Sequence, residues 1–70
     1  MMTYKEIFDE FCNWSPEHAK LVIDYRPWGT NSIVVWFNIN DAYKAKRIDK
    51  NRFVMQKVTM EEINKKLNLV

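Results

Sequence analysis

The chain reads as an α+β domain: an N-terminal helix, a three- to four-stranded antiparallel meander, and a C-terminal helix, with both helices on one face of the sheet. Three observations predict it. A helical period of apolar residues opens and closes the chain, and each begins with the pattern Thr-x-x-Glu, a capping box in which hydroxyl and carboxylate satisfy free backbone amides. Between them, from Leu21 to Val58, the apolar period shortens to two, as on a strand. Clusters of Pro, Gly, Asn and Asp interrupt that stretch at short intervals, as turns do.

Thr3 and Glu6 form the first capping box, and Met2 and Ile7 stand at the two positions of a hydrophobic staple. Tyr4, Ile7, Phe8, Phe11 and Cys12 then fall on one stripe, which predicts a helix over residues 4–13. Ser15 precedes a proline and is pushed away from helical angles. Ser15-Pro16-Glu17 is also a helix start, so a single turn over Pro16 to Ala19 is expected.

From Lys20, Leu21, Ile23 and Tyr25 alternate with Val22, Asp24 and Arg26 as a first strand. Pro27-Trp28-Gly29-Thr30-Asn31 is a turn cluster in which the lone glycine is free to take φ > 0. Ile33, Val35, Phe37 and Ile39 make the next inward row. Val34 and Trp36 lie opposite them, so this strand is apolar on both sides and central. Asn38-Ile39-Asn40-Asp41 turns the chain again. Tyr43 to Ile48 and Arg52 to Val58 form a hairpin around Asp49-Lys50-Asn51, where Asn51 suits a left-handed position. Thr59 and Glu62 form the second capping box, with Val58 and Ile63 as its staple. Met60, Ile63, Leu67 and Val70 share one helix face, and Lys65 and Lys66 sit where the helix dipole favours cations.

Seventy residues make one domain, 1–70, too short for a second core. The longest apolar run, Ile33 to Phe37, is far below the ~20 residues that span a bilayer. The first residues enter an amphipathic pattern at once, so neither a signal peptide nor a membrane partner is expected, and the setting is cytoplasmic. One Cys and one His exclude an intrachain disulfide and a mononuclear zinc site of Cys and His alone. One glycine excludes the glycine-rich phosphate loops of nucleotide enzymes. Cys12 falls on the buried stripe and His18 lies beyond a proline break, so the pair is not a nucleophile and base. Glu6, Asp9, Glu10 and Glu17 read as a solvated face. No enzyme, cofactor or metal is expected.

Two constellations remain. Residues 43–57 hold six basic residues and one acid, against five basic and eight acidic residues elsewhere. Lys44, Lys46, Arg47, Lys50 and Arg52 could follow a phosphate backbone, with Tyr43 stacking on bases. Equally, lysines on an edge strand discourage unwanted strand pairing. Trp28 sits at a turn, and with helices on one face only, Val22, Val34 and Trp36 would form an apolar patch on the other. Tryptophans and apolar patches mark contact sites, so these four residues are the expected surface for a protein partner or a homodimer.

The order helix, three or more strands, helix is similar to that of double-stranded-RNA-binding domains. That family places lysines at the start of its second helix, where this chain has Thr59-Met60-Glu61-Glu62 and two carboxylates that would repel phosphate. Lys, Asn and Ile are abundant (eight, seven and six residues) and Arg is scarce. In size and composition the chain resembles small accessory proteins of phages and prophages of low-GC Gram-positive bacteria. That resemblance implies a non-enzymatic module working by protein contact; nucleic-acid binding by the basic hairpin is the alternative.

Overall fold

The computed structural model describes residues 2–67. Helix α1 (Tyr4–Trp14) is followed by a single turn α2 (Pro16–Ala19), strands β1 (Asp24–Gly29), β2 (Ser32–Asn38), β3 (Asp41–Asp49) and β4 (Arg52–Val58), and helix α3 (Met60–Leu67). The strands form an antiparallel sheet in the order β1-β2-β3-β4, so every connection is a hairpin. The α+β class and the meander are those the periodicities predict.

Helix α1 starts as its cap dictates. Thr3 Oγ1 accepts from the Glu6 amide at 3.1 Å, and the Glu6 carboxylate accepts from the Thr3 amide at 2.8 Å. The Thr3 amide first, and then the Thr3 hydroxyl, hold the Glu6 carboxyl below its ordinary range, because each interacts best with the charged group. At α3, Thr59 Oγ1 accepts from the Glu62 amide at 3.1 Å, and the Glu62 carboxylate accepts from the Thr59 hydroxyl. Val70, expected on the apolar face of α3, lies outside the described residues.

The turns depart from expectation in one respect. β1 runs through Pro27 and Trp28 to Gly29, with a register shift at Trp28, and the reversal falls on Thr30-Asn31. The left-handed backbone there belongs to Asn31 (φ 54°) rather than Gly29, since asparagine tolerates that region. Asn51 takes the left-handed position assigned to it (φ 56°).

A larger correction concerns the sides of the sheet: α1 and α3 do not share a face. On the first face, Ile33 and Val35 of β2, Ala45 of β3 and Phe53 of β4 pack with Ile7 and Phe11 of α1. Phe11 meets the Phe53 ring edge-on at 5.6 Å, and Phe8 stacks on Tyr25 at 4.1 Å. On the second face, Val34, Ala42 and Val58 pack with Ile63 of α3, and Trp28, Trp36, Met60 and Leu67 flank them. Each helix covers one apolar side of the two-sided β2, which removes both sides from water at once.

The inward rows are also shorter than their alternation implies. Leu21, Ile23 and Ile39 are 61%, 66% and 80% exposed. Residues 20–22 continue the turn of α2, with amides bonded back to Pro16, His18 and Ala19, so strand alternation begins only at Asp24. Val22, not Leu21, is thereby turned against the first core, and not toward Val34 and Trp36. Ile39 falls in the β2–β3 turn, beyond the strand.

Candidate functional site

The patch expected on the open side of the sheet is covered. Val34 is fully buried beneath α3, and Trp28 and Trp36 are half-buried along that helix. Lys66 Nζ lies 5.5 Å from the centre of the Trp28 ring, a cation over an aromatic face. Arg26 pairs with Val34 on the second face, so alternation through Pro27 puts the Trp28 side chain on the same side, next to the register shift between Pro27 and Gly29. Val22 stands on the other side of the sheet. A homodimer that shields Val34 and Trp36 therefore loses its premise, since α3 already supplies the cover.

The basic hairpin is divided between the faces. Arg26, Val34, Lys44 and Gln56 form one cross-strand row, and Ser32, Lys46 and Val54 the next. Since Val34 belongs to the second face, so do Lys44 and Lys46, and alternation along β4 adds Arg52. Arg47 lies on the first face, where its Nε donates to Glu10 Oε2 of α1 at 2.9 Å. The other Glu10 oxygen accepts from the Asn51 amide in the β3–β4 turn. These two bonds, the Asn51 amide first, hold the Glu10 carboxyl below its ordinary range. Glu10 and Arg47, expected as a solvated acid and a phosphate-binding base, instead lash α1 to the hairpin. Lys50 stands in the turn beside Glu6, Asp9 and Glu10, where an anionic polymer meets carboxylates. Tyr43 packs its ring 5.6 Å from Phe37 on the first face, away from Lys44 and Lys46.

What sequence reasoning missed lies at the α2 end of the first face. Helix α1 stops at Trp14, short of the far ends of β2 and β3, and only the single turn α2 follows. A groove of about 390 Å³ opens there between His18, Leu21, Phe37, Asp41, Tyr43 and Met55. The exposed Leu21 lines it, and the exposed Ile23 and Ile39 stand at the same end of the sheet, Ile23 bonded to the Trp36 carbonyl and Ile39 in the adjoining turn. His18 is held by Ser15, Oγ to Nδ1 at 2.6 Å, with its ring 5.7 Å from that of Phe37. Asp41 Oδ1 is shielded from solvent and makes no hydrogen bond, with Lys57 Nζ at 3.5 Å. The lining combines two aromatic rings and a thioether with one aliphatic side chain, Leu21, one imidazole and one carboxylate.

The hydrogen-bond partner of His18 is Ser15 rather than a thiol. Cys12 is half-buried against the first core, and burial pushes its thiol pKa up, away from reactivity. Among the described residues, no group of three or more His, Cys, Asp or Glu side chains is placed to hold a metal ion, and no helix is long and apolar enough to cross a membrane. The fold and groove thus define an α+β domain with a largely apolar recess at one end of its sheet. Comparison with protein-family models, curated proteins and solved structures finds no match to the chain.

Proposed function

We propose that the chain is a non-enzymatic binding module that acts through protein contact, using the recess between α2 and the far ends of β2 and β3. The observation that carries this reading is the exposed Leu21 beside Phe37, Tyr43 and Met55 in the groove, with Ile23 and Ile39 also exposed at that end of the sheet. Each square ångström of aliphatic surface left in water forgoes about 25 cal/mol, and a cluster at one end of a small domain marks a contact surface. A complementary partner presents an apolar side chain to the floor and a polar group to His18 or Asp41. The setting we propose is the cytoplasm, where a single reduced thiol such as Cys12 persists. A phage or prophage accessory role fits the size and composition.

A photo-crosslinking residue in place of Ile39 should trap a discrete partner in the producing cells. Leu21→Asp with Ile23→Asp should abolish the adduct while leaving circular dichroism unchanged. Equal trapping from a control position at exposed Lys65 would refute the reading.

A second reading, nucleic-acid binding, is supported by the shared second-face placement of Arg26, Lys44, Lys46 and Arg52. Retention on heparin that falls steeply with salt, and that Lys44→Glu with Lys46→Glu abolishes, would move it into first place.

A further inference from the structure

The two edges of the sheet are not alike. β1 is blunted along its length. The Tyr25 amide is taken by the carboxylate of Asp24 at 2.8 Å, Pro27 has no amide proton, and the Gly29 carbonyl accepts from the Tyr4 hydroxyl at 3.2 Å. The register shift at Trp28 adds a bulge. These are the devices by which proteins keep strands from adding to an edge.

β4 carries none of these four, and its guard is the charge of Arg52 and Lys57 alone. Its seven residues, Arg52 to Val58, contain no proline, and the irregularity in its pairing with β3 falls on the β3 side, at Ile48. Among the described residues, no hydrogen bond outside the ladder to β3 involves a backbone or side-chain group of Arg52–Val58. Helix α3 leaves the edge free. It starts at Met60, two residues past the end of β4, and crosses the second face toward β1, where Lys66 meets Trp28. One row of amides and carbonyls along β4 therefore has no partner among the described residues, and an extended chain can supply it.

Charge selects the occupant. β4 bears Arg52 and Lys57 and no acid, and Lys44 and Lys46 stand beside it on β3. A second copy pairing through β4 would bring four cations into one two-stranded seam without an acid on either strand. A partner strand with alternating character answers the edge better. On the first face it would lie beside Phe53 and Met55, next to the Trp14 ring that packs 5.5 Å from Phe53. On the second it would meet Arg52 and the half-exposed Val54, near Lys46.

We propose that β4 is a strand-addition site for an extended acidic segment of another protein, with apolar residues at alternate positions. This rests on the reading of the chain as a protein-binding module and gives it a surface separate from the α2 groove. The probe is a synthetic heptapeptide alternating Glu and Val, with a Lys/Val peptide as its counterpart. In an NMR titration the Glu/Val peptide should perturb the amides of residues 52–58, and the Lys/Val peptide should bind at least about tenfold more weakly. Of two peptides N-methylated on alternate residues, one should lose binding and the other keep it, because only one amide row of an added strand faces its neighbour. Arg52→Glu with Lys57→Glu should reverse the preference between the two peptides.

Several results would overturn the proposal. Equal tolerance of both N-methyl patterns would mean side-chain docking rather than strand addition. A concentration-dependent dimer whose protected amides are those of β4 would make a second copy the occupant. Perturbations confined to Leu21, Ile23, Phe37 and Ile39 would move the contact to the groove. No binding by the Glu/Val peptide would remove the edge alone, since the groove reading stands or falls separately on the Ile39 crosslink.

Discussion

The docking of α3 on the second face can be tested by removing its anchor. Ile63 is 2% exposed and packs with Val34, Ala42 and Val58. Ile63→Ala deletes three buried carbons, worth about 2.4 kcal/mol at ~0.8 kcal/mol each, and the residual cavity adds to that. A short terminal helix can settle partly into the space, so the expected loss is about 2–3 kcal/mol, near the low end for such truncations. A chain of this length has roughly 3.5–10 kcal/mol in total, so the variant should remain folded but visibly weakened. With a urea dependence of about 1 kcal/mol per molar, the unfolding midpoint should fall by about 2–3 M. Tryptophan emission should follow the same transition, because Trp28 and Trp36 both pack along α3. Lys65→Ala, on the exposed side of the same helix, should stay within about 0.5 kcal/mol of wild type. If Ile63→Ala moved the midpoint by less than about 0.5 M while Ile7→Ala moved it fully, α3 would not be docked, and Val34 and Trp36 would again be open to a partner.

Glu10→Gln should weaken the tie between α1 and the β3–β4 turn and lower the melting temperature at neutral pH. The wild-type carboxyl is depressed in the folded state, so its contribution is complete above the unfolded value near pH ~4.3 and is lost as pH falls through the lower folded value. The gap between wild type and variant should accordingly narrow below about pH 4 in a melting series; a gap that widened there would contradict the assignment. Cys12 should react with a thiol reagent at least about tenfold more slowly in the native protein than in denaturant, since burial raises its pKa and limits access. Gly29→Ala should stay within about 0.5 kcal/mol of wild type, because Gly29 does not have a positive φ and an added Cβ would meet nothing closer than Lys66 Nζ at 3.9 Å. Asn31→Ala should cost about 1 kcal/mol, because the new residue would have to hold φ 54°.

Much of the fold was legible because its signals are local. The Thr3–Glu6 box, the stripe of α1, the left-handed Asn51 and the two-sided apolar β2 are each decided within a few residues. The failures have a common cause in information that is not local. Alternation alone cannot tell that residues 20–22 prolong the α2 turn, and that prolongation puts Leu21 and Ile23 in water. Glu10 and Arg47 lie 37 residues apart, so their ion pair has no sequence spacing to betray it. The α2 groove was hidden for the same reason: it exists because α1 ends at Trp14 while the sheet continues, a mismatch of lengths visible only after the layers are stacked.

The side taken by α3 was decidable, but only by combining two local facts. Ala42 pairs with both Trp36 and Val58, so these three residues point to the same face as Val34, opposite Ile33, Val35 and Phe53. Val58 is also the first half of the staple whose second half is Ile63. A helix stapled to Val58 is therefore committed to the Trp36 side once the strands have paired. The opposite placement would leave Val34, Trp36, Ala42 and Val58 in water and crowd a second helix onto a face that Phe8, Phe11 and Trp14 already fill. The same parity governs charge. Arg26, Lys44, Lys46 and Arg52 share the face of α3, whereas Glu6, Asp9 and Glu10 belong to α1 on the other side. A negatively charged segment approaching the molecule is thus drawn to the side where Lys44 and Lys46 flank the open β4 edge and repelled from the side of α1. Orientation precedes contact, and backbone pairing along Arg52–Val58 then converts that bias into a specific register.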